Sequence, residues 1–220
     1  MSTALIEPRD GVAVLRLTTE QNLWDTAFLT DVTAALDAVE ADAVLGAVVT
    51  TGTTKCFSNG FDLGHVMEPG DGADAFLLAA DRLLARVLTF PKPTVAALNG
   101  HTFGIGAVFA LAHDQRVARV DRGWVCLPEV DLGLHLRPLW NELVRTRLPD
   151  ATALEAITTA RRYDGPAAVE AGIARSAHAD DELLGAAVAL AAERSGKDPA
   201  MVAALKADLY APVLATLEHP

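Results

Sequence analysis

The sequence predicts an α/β fold made of strand and helix layers followed by a helical cap. Three observations carry this. Up to Val120, short apolar runs of strand length recur between Gly, Pro, Asn and Asp punctuation. Between them lie segments whose apolar residues repeat at helical spacing. Beyond Leu148 helix signals dominate. Strand, strand, helix therefore recurs and helices then take over, an order that differs from a regular doubly wound sheet.

The elements follow in chain order. Residues 3–7 and 12–18 read as two strands about the turn Pro8-Arg9-Asp10-Gly11, the second apolar enough to be buried on both faces. Asp25 or Thr26 caps a helix that presents Phe28, Leu29, Val32, Leu36 and Val39. Residues 45–51 form a third strand, broken by Gly52-Thr53-Thr54-Lys55. Residues 56–70 look irregular, with Gly60, Gly64 and Gly70. A helix over 73–88 starts among acidic residues, as its dipole favours, and Pro91 and Pro93 end it. Residues 94–98 are a strand, Asn99-Gly100 a turn, 104–113 a helix and 116–120 a strand closed by Asp121-Arg122-Gly123. Pro149-Asp150 caps a helix carrying Leu154, Ala156 and Ile157, and Pro166 opens a short one. Asp180-Asp181 caps the segment 182–194, and a last helix spans 199–217. No fixed-period repeat is visible.

The 220 residues suit one domain with a short appended segment, and 51% hydrophobic content supplies a large aliphatic core. A net charge of −11 disfavours nucleic acid as a partner, though it leaves room for a small anion held by local cations or backbone N–H groups. Cys56 and Cys126 form no CxxC pair and no Cys/His cluster has metal-ligand spacing, so two reduced thiols and no metal are expected. The N-terminal residues show no basic-then-apolar signal, and no apolar run would span a bilayer. A soluble cytoplasmic protein is the expectation.

Two glycine-bearing junctions stand out: Lys55-Cys56-Phe57-Ser58-Asn59-Gly60-Phe61-Asp62-Leu63, and Asn99-Gly100-His101-Thr102-Phe103-Gly104-Ile105-Gly106-Ala107. In the second, a strand gives way through glycines to a helix N-terminus, where free N–H groups and a positive dipole end can hold an anion or a developing oxyanion. Spacing alone equally allows a tight turn with close packing. The spacing Gly100-x-x-x-Gly104-x-Gly106 also matches a short-chain dehydrogenase loop. That reading fails because nearly half the chain precedes it, and Tyr163 and Tyr210 have Ala167 and Leu214 where a Lys is needed. A serine-hydrolase elbow fails too, since Ser58 and Ser176 lack the flanking glycines.

Taken together, these tracts resemble the crotonase (enoyl-CoA hydratase/isomerase) superfamily. The segments Phe57-Ser58-x-Gly60-x-Asp62-Leu63 and Asn99-Gly100-x-x-x-Gly104-x-Gly106 are similar to its two oxyanion junctions, in the right order. His113-Asp114-Gln115-Arg116-Val117-Ala118, Leu127-Pro128-Glu129-Val130-Asp131-Leu132-Gly133 and Thr158 to Tyr163 with Ala167 to Gly172 resemble later family segments. The likeness covers roughly residues 10–178. It implies a crotonase-type spiral of strand-strand-helix units over 1–178, followed by a C-terminal helical segment over 179–220. It also implies an acyl-CoA thioester as partner, no cofactor beyond the coenzyme A of the substrate, and a homo-oligomer, trimer or hexamer.

The resemblance also assigns roles. The backbone N–H groups of Phe61 and Ile105 become the oxyanion donors, and Glu129 in the Pro-Glu segment becomes the catalytic carboxylate. Leu23, Trp24, Ser58, Gly60, Asp62 and Leu63 become the coenzyme A contacts, with Lys55 near the phosphates. Family hydratases carry a second glutamate where this chain has Val108. Hydration needs a base and an acid, whereas double-bond migration needs one base. The tract Arg122 to Glu129 further resembles single-glutamate 3-enoyl/2-enoyl-CoA isomerases. The expectation is therefore an enoyl-CoA isomerase. The alternatives are a hydratase or another acyl-CoA enolate enzyme, such as a thioesterase or decarboxylase, or a non-catalytic acyl-CoA-binding protein. For individual residues, a surface or capping carboxylate competes for Glu129 and a hydrophobic staple for Trp24. Packing competes for His101, and Asp62 is expected to organise its loop. His135 could line the acyl pocket. Ile105 replaces a glycine common in the family, and after Gly133, where many relatives have proline and glycine, this chain has His135-Leu136-Arg137-Pro138-Leu139.

Overall fold

The computed structural model describes residues 2–66 and 72–218. Strands β1 (Ala4–Arg9) and β2 (Val12–Leu17) form an antiparallel hairpin, and α1 (Thr26–Ala41) follows. Next come β3 (Ala47–Gly52), β4 (Cys56–Ser58), α2 (Leu63–Val66) and α3 (Gly72–Leu88). Then β5 (Thr94–Leu98), β6 (His101–Phe103), α4 (Ile105–Ala112), β7 (Gln115–Arg119), β8 (Val125–Cys126) and α5 (Glu129–Leu132) complete the repeating part. The rest is α6 (Pro138–Arg147), α7 (Asp150–Thr159), α8 (Gly165–Glu170), β9 (Ser176–His178), α9 (Asp180–Arg194), α10 (Pro199–Leu209) and α11 (Ala211–Ala215), ending in a 3-10 turn over Thr216–Glu218.

A six-stranded sheet runs β1-β2-β3-β5-β7-β9, parallel beyond the first hairpin, and a second, three-stranded parallel sheet runs β4-β6-β8. Each spiral turn thus gives one strand to each sheet and then a helix: β3 and β4, β5 and β6, β7 and β8. The first turn is a reduced version, in which the single residue Trp24 bridges Phe61 in place of a strand. This is the crotonase fold.

The large sheet is covered on both faces, and strand alternation sorts its residues. Val12, Val14, Val49, Val95, Ala97 and Val117 face α9, which presents Leu183, Ala187, Val188 and Ala191. Ala13, Leu15, Leu17, Val48, Ala96 and Leu98 face the main core with α1, α3 and α4. Helix α4 is apolar on every side, and all eight of its residues are buried.

Several elements follow the sequence reading. Asp25 caps α1, its Oδ1 accepting from Phe28 N–H at 2.7 Å. The stretch expected to be irregular contains β4 and α2, and its end, with Gly70, lies outside the described residues. Short β6 and β8 intervene where only turns and helix starts were expected. Helix α6 was not anticipated, although Pro138 occupies its first turn. The single helix expected over 199–217 breaks at Tyr210 because Pro212 cannot continue it. Ala179, without a side-chain bond, rather than Asp180-Asp181 caps α9, and the two acids lie in its first turn.

Candidate active site

The two junctions meet at the start of α4. Gly104 takes φ 54° and ψ −127°, a conformation open to glycine and strained for a side chain, and this turns β6 into the helix. Gly106 lies against the first junction so closely that a Cβ there would sit 2.5 Å from Ser58 O. Glycine at 106 is therefore what lets the two segments touch. A Cβ built on Gly60 would lie 3.2 Å from Phe103 O and 4.0 Å from Ile105 N, so the amides of Phe61 and Ile105 belong to one small region.

Both amides are left free by local bonding. The Trp24 bridge uses Trp24 N–H to Gly60 O at 2.9 Å and Asp62 N–H to Trp24 O at 3.1 Å, skipping the Phe61 N–H between them. Ile105 opens α4, where no intrahelical acceptor exists, while Ala107 and Val108 N–H donate to Gly104 O at 2.9 and 3.2 Å. Among the described residues neither the Phe61 nor the Ile105 amide donates to another group.

Glu129 begins α5 with its carboxylate turned toward this junction. Its Oε1 lies 3.5 Å from where a Cβ on Gly104 would stand, and its buried Oε2 has no partner among the described residues. Burial raises its pKa above the ordinary 4.5, opposed only by its own backbone N–H. A cleft of about 490 Å³ opens beside it, lined by Val130, Leu134, His135, Leu136, Asn141, Ile157 and Thr158. His135, exposed, is on this wall. Asn141, Ile157 and Thr158 come from α6 and α7 and carry no local motif, so sequence inspection missed them as cleft residues. Val108 is fully buried within α4.

The other expected contacts divide by exposure. Trp24 and Ser58 are fully buried, and the Ser58 hydroxyl donates to Asn22 O at 2.8 Å, so their side chains face inward. Trp24 stacks on Phe28 at 4.9 Å and meets Phe109 edge-on at 5.2 Å, while its Nε1 has no partner among the described residues. Gly60 is buried, Leu23 half-buried and Leu63 exposed. Asp62 Oδ1 accepts from Gly64 N–H at 3.0 Å and so organises the entry to α2. Lys55 is exposed and pairs at 3.5 Å with Glu20.

His101 stacks against Trp124 and Phe103 at 5.1 and 5.5 Å, and burial together with the charges of Lys55, Arg162 and Arg122 lowers its pKa. His113 is buried, with ring nitrogens 2.8 Å from Phe109 O and Thr50 Oγ1, and burial pulls its pKa down to about 3. Its neighbour Asp114 accepts from Thr94 N–H at 2.9 Å and pairs with Lys206 at 2.7 Å. That tract secures the entry to β7. Among the described residues no group of three or more His, Cys, Asp or Glu could hold a metal ion, and no helix is long and apolar enough to cross a membrane.

A spiral of strand pairs thus brings two unspent amides and a buried carboxylate together. The family model described as enoyl-CoA hydratase/isomerase matches residues 7–219, and the chain belongs to that family, whose members act on acyl-CoA thioesters. It is 35% identical over 182 residues to enoyl-CoA delta isomerase 3 of Arabidopsis thaliana, covering 80% of this chain and 76% of that one. It is 30% identical over 192 residues to a probable enoyl-CoA hydratase of Bacillus subtilis, covering 86% and 74%. A solved structure of a probable enoyl-CoA hydratase from Mycobacterium tuberculosis superposes with a TM-score of 0.90 at 27% identity, covering 99% of this chain and 92% of that one.

Proposed function

We propose that this chain is an enoyl-CoA isomerase that moves the double bond of a 3-enoyl-CoA to the 2-position. Glu129 takes a proton from C2 and returns it at C4. The Phe61 and Ile105 amides hold the thioester oxygen while it carries the dienolate charge. Leu23, Trp24, Ser58, Gly60, Asp62 and Leu63 border the path of coenzyme A, largely through backbone, with Lys55 nearest its phosphates. A proton shuttle of this kind calls for no metal or redox cofactor. By family likeness the working form is a homo-oligomer.

The observation that carries the reading is that, among the described residues, Glu129 stands alone in its cleft. Among the described residues its cleft includes no other Asp or Glu, and the position that matches a hydratase's second glutamate is the buried Val108. Hydration requires one group to activate water and another to protonate carbon, whereas isomerisation needs one carboxylate that holds the proton between two carbons. A carboxyl whose pKa is raised by desolvation is suited to hold it.

The test is turnover of 3-hexenoyl-CoA, followed by the absorbance of the conjugated product. The wild-type protein should turn over, and Glu129→Gln should lose at least about a hundredfold in kcat, the low end for removing a general base. Unchanged turnover in the variant, or hydration of a 2-enoyl-CoA as fast as isomerisation, would overturn the proposal. Tight acyl-CoA binding without turnover would mark a non-catalytic family member instead.

A further inference from the structure

Helices α3 and α6 are joined through one buried carboxylate. Asp81, 2% exposed, accepts three hydrogen bonds: Trp140 Nε1 donates to Oδ1 at 2.6 Å, and Arg137 Nε and Nη2 donate to Oδ2 at 3.0 and 2.9 Å. The Arg137 guanidinium also lies 6.0 Å from the Trp140 ring centre. Both carboxylate oxygens are thereby spent, and the orientation of each partner is set by a charge-assisted bond.

Each partner then reaches the site. The Trp140 ring lies 5.5 Å from the Phe61 ring, and Phe61 is gripped on its other sides by Phe76 at 5.6 Å and Trp24 at 6.2 Å. Arg137 directly follows His135 and Leu136, which line the cleft with Glu129. Asp81 hydrogen-bonds to Arg137 and Trp140, and these two lead from it toward Glu129 and Phe61. A buried ion pair adds little stability over a well-packed apolar pair of the same volume, so the fold alone gives no reason for a charge here. What three directed bonds supply is a fixed geometry.

We propose that Asp81 is a positioning residue of the enolate site. It holds Trp140 against Phe61 and Arg137 at the end of the cleft wall, so that the Phe61 amide and the Glu129 carboxylate keep one separation. This rests on the reading of the site given above. Asp81 acts on the chemical step through the orientation of Phe61, and its own hydrogen bonds go to Arg137 and Trp140 and to none of the proposed coenzyme A contacts.

The experiment compares wild type, Trp140→Phe and Asp81→Asn. Trp140→Phe keeps an aromatic ring against Phe61 but removes the indole N–H and the second ring; Asp81→Asn keeps an acceptor and every packed atom's place and removes the charge. Three quantities are read well below the melting temperature: kcat and KM with 3-hexenoyl-CoA, and the near-ultraviolet enolate band of bound acetoacetyl-CoA, which reports polarisation by the two amides without turnover. Both variants should lose about tenfold in kcat, a fraction of what a 1 Å misplacement costs. KM should stay within about twofold and the enolate band should weaken. Variants that melt earlier but keep wild-type kcat and enolate band would reduce Asp81 to a structural role and overturn the inference. A wild-type protein showing neither turnover nor the band would overturn the reading of the site itself, and this inference with it.

Discussion

Asp81 and Glu129 are both carboxylates withdrawn from water, and in both burial is the largest influence and raises the pKa. Asp81 receives three hydrogen bonds and the opposing charge of Arg137, whereas Glu129 has only its own backbone N–H and an Oε2 with no partner among the described residues. An unpartnered buried carboxylate costs free energy that one more donor would recover. A chain able to place Arg137 and Trp140 around one acid leaves the other without a partner among the described residues, beside an open cleft. His113 follows the Asp81 pattern, with both ring nitrogens engaged. Burial and pKa direction are the same for a held group and a poised one; the count of satisfied bonds separates them.

The largest effect that would break this comparison is on stability. Arg137→Ala strands the Asp81 charge in the interior and should destabilise by about 3 kcal/mol, the low end for breaking a buried pair because Arg137 is partly exposed. Urea denaturation measures it. Replacing both partners, Asp81→Leu with Arg137→Met, should recover most of that loss, since no uncompensated charge remains. A single variant as stable as wild type would show that Asp81 is not held as described.

Next comes activity at the bare carboxylate. The hundredfold loss expected of Glu129→Gln corresponds to about 2.7 kcal/mol of transition-state stabilisation. In its proposed role as base Glu129 works deprotonated, so a raised pKa places the acid limb of the wild-type kcat/KM profile above pH 4.5. A limb at or below that value would mean the carboxylate is solvated in the free enzyme. A smaller effect sharpens the junction itself. Gly106→Ala puts a Cβ into Ser58 O and should cost about 1–3 kcal/mol by overpacking, together with activity, because the segments bearing Phe61 and Ile105 must separate. Melting and kinetics on the same sample check both.

How much of this was legible in the sequence depends on how local the signal was. The helical periodicities of α1 and α3, the Asp25 cap and the junction glycines are short-range features, and the structure places elements where they indicated. Strands β6 and β8 have three and two residues, too few for any period to register. Helix α6 is hidden in His135-Leu136-Arg137-Pro138-Leu139, a departure from the family's proline and glycine, though Pro138 is its starting signal. Pro212 likewise marked the break after Tyr210. Asp81 was one acid among 29 Asp and Glu in the chain, and its partners lie 56 and 59 residues away, so nothing nearby distinguished it. That Glu129 Oε2 has no partner among the described residues is a property of what surrounds it in space, which no local pattern encodes.

The smallest expected effect tests whether Glu129 is kept bare at a cost to the fold. Its pKa is raised in the folded chain above the ordinary 4.5, so the folded state binds its proton more tightly than the unfolded state does. As pH rises from 4.5 through the folded value, the unfolded chain releases its proton first and stability falls; below 4.5 both states are protonated and nothing is lost. Glu129→Gln removes the ionisation and should therefore melt above wild type at pH 8, with the difference closing as pH drops to 4.5. In a chain of this size each kcal/mol moves Tm by about 2–4 °C, so the gap should be a few degrees at most. A variant that melts at the same temperature as wild type across the range would mean that Glu129 finds a partner or water in the folded chain. It would then belong with Asp81 and His113 among the satisfied groups.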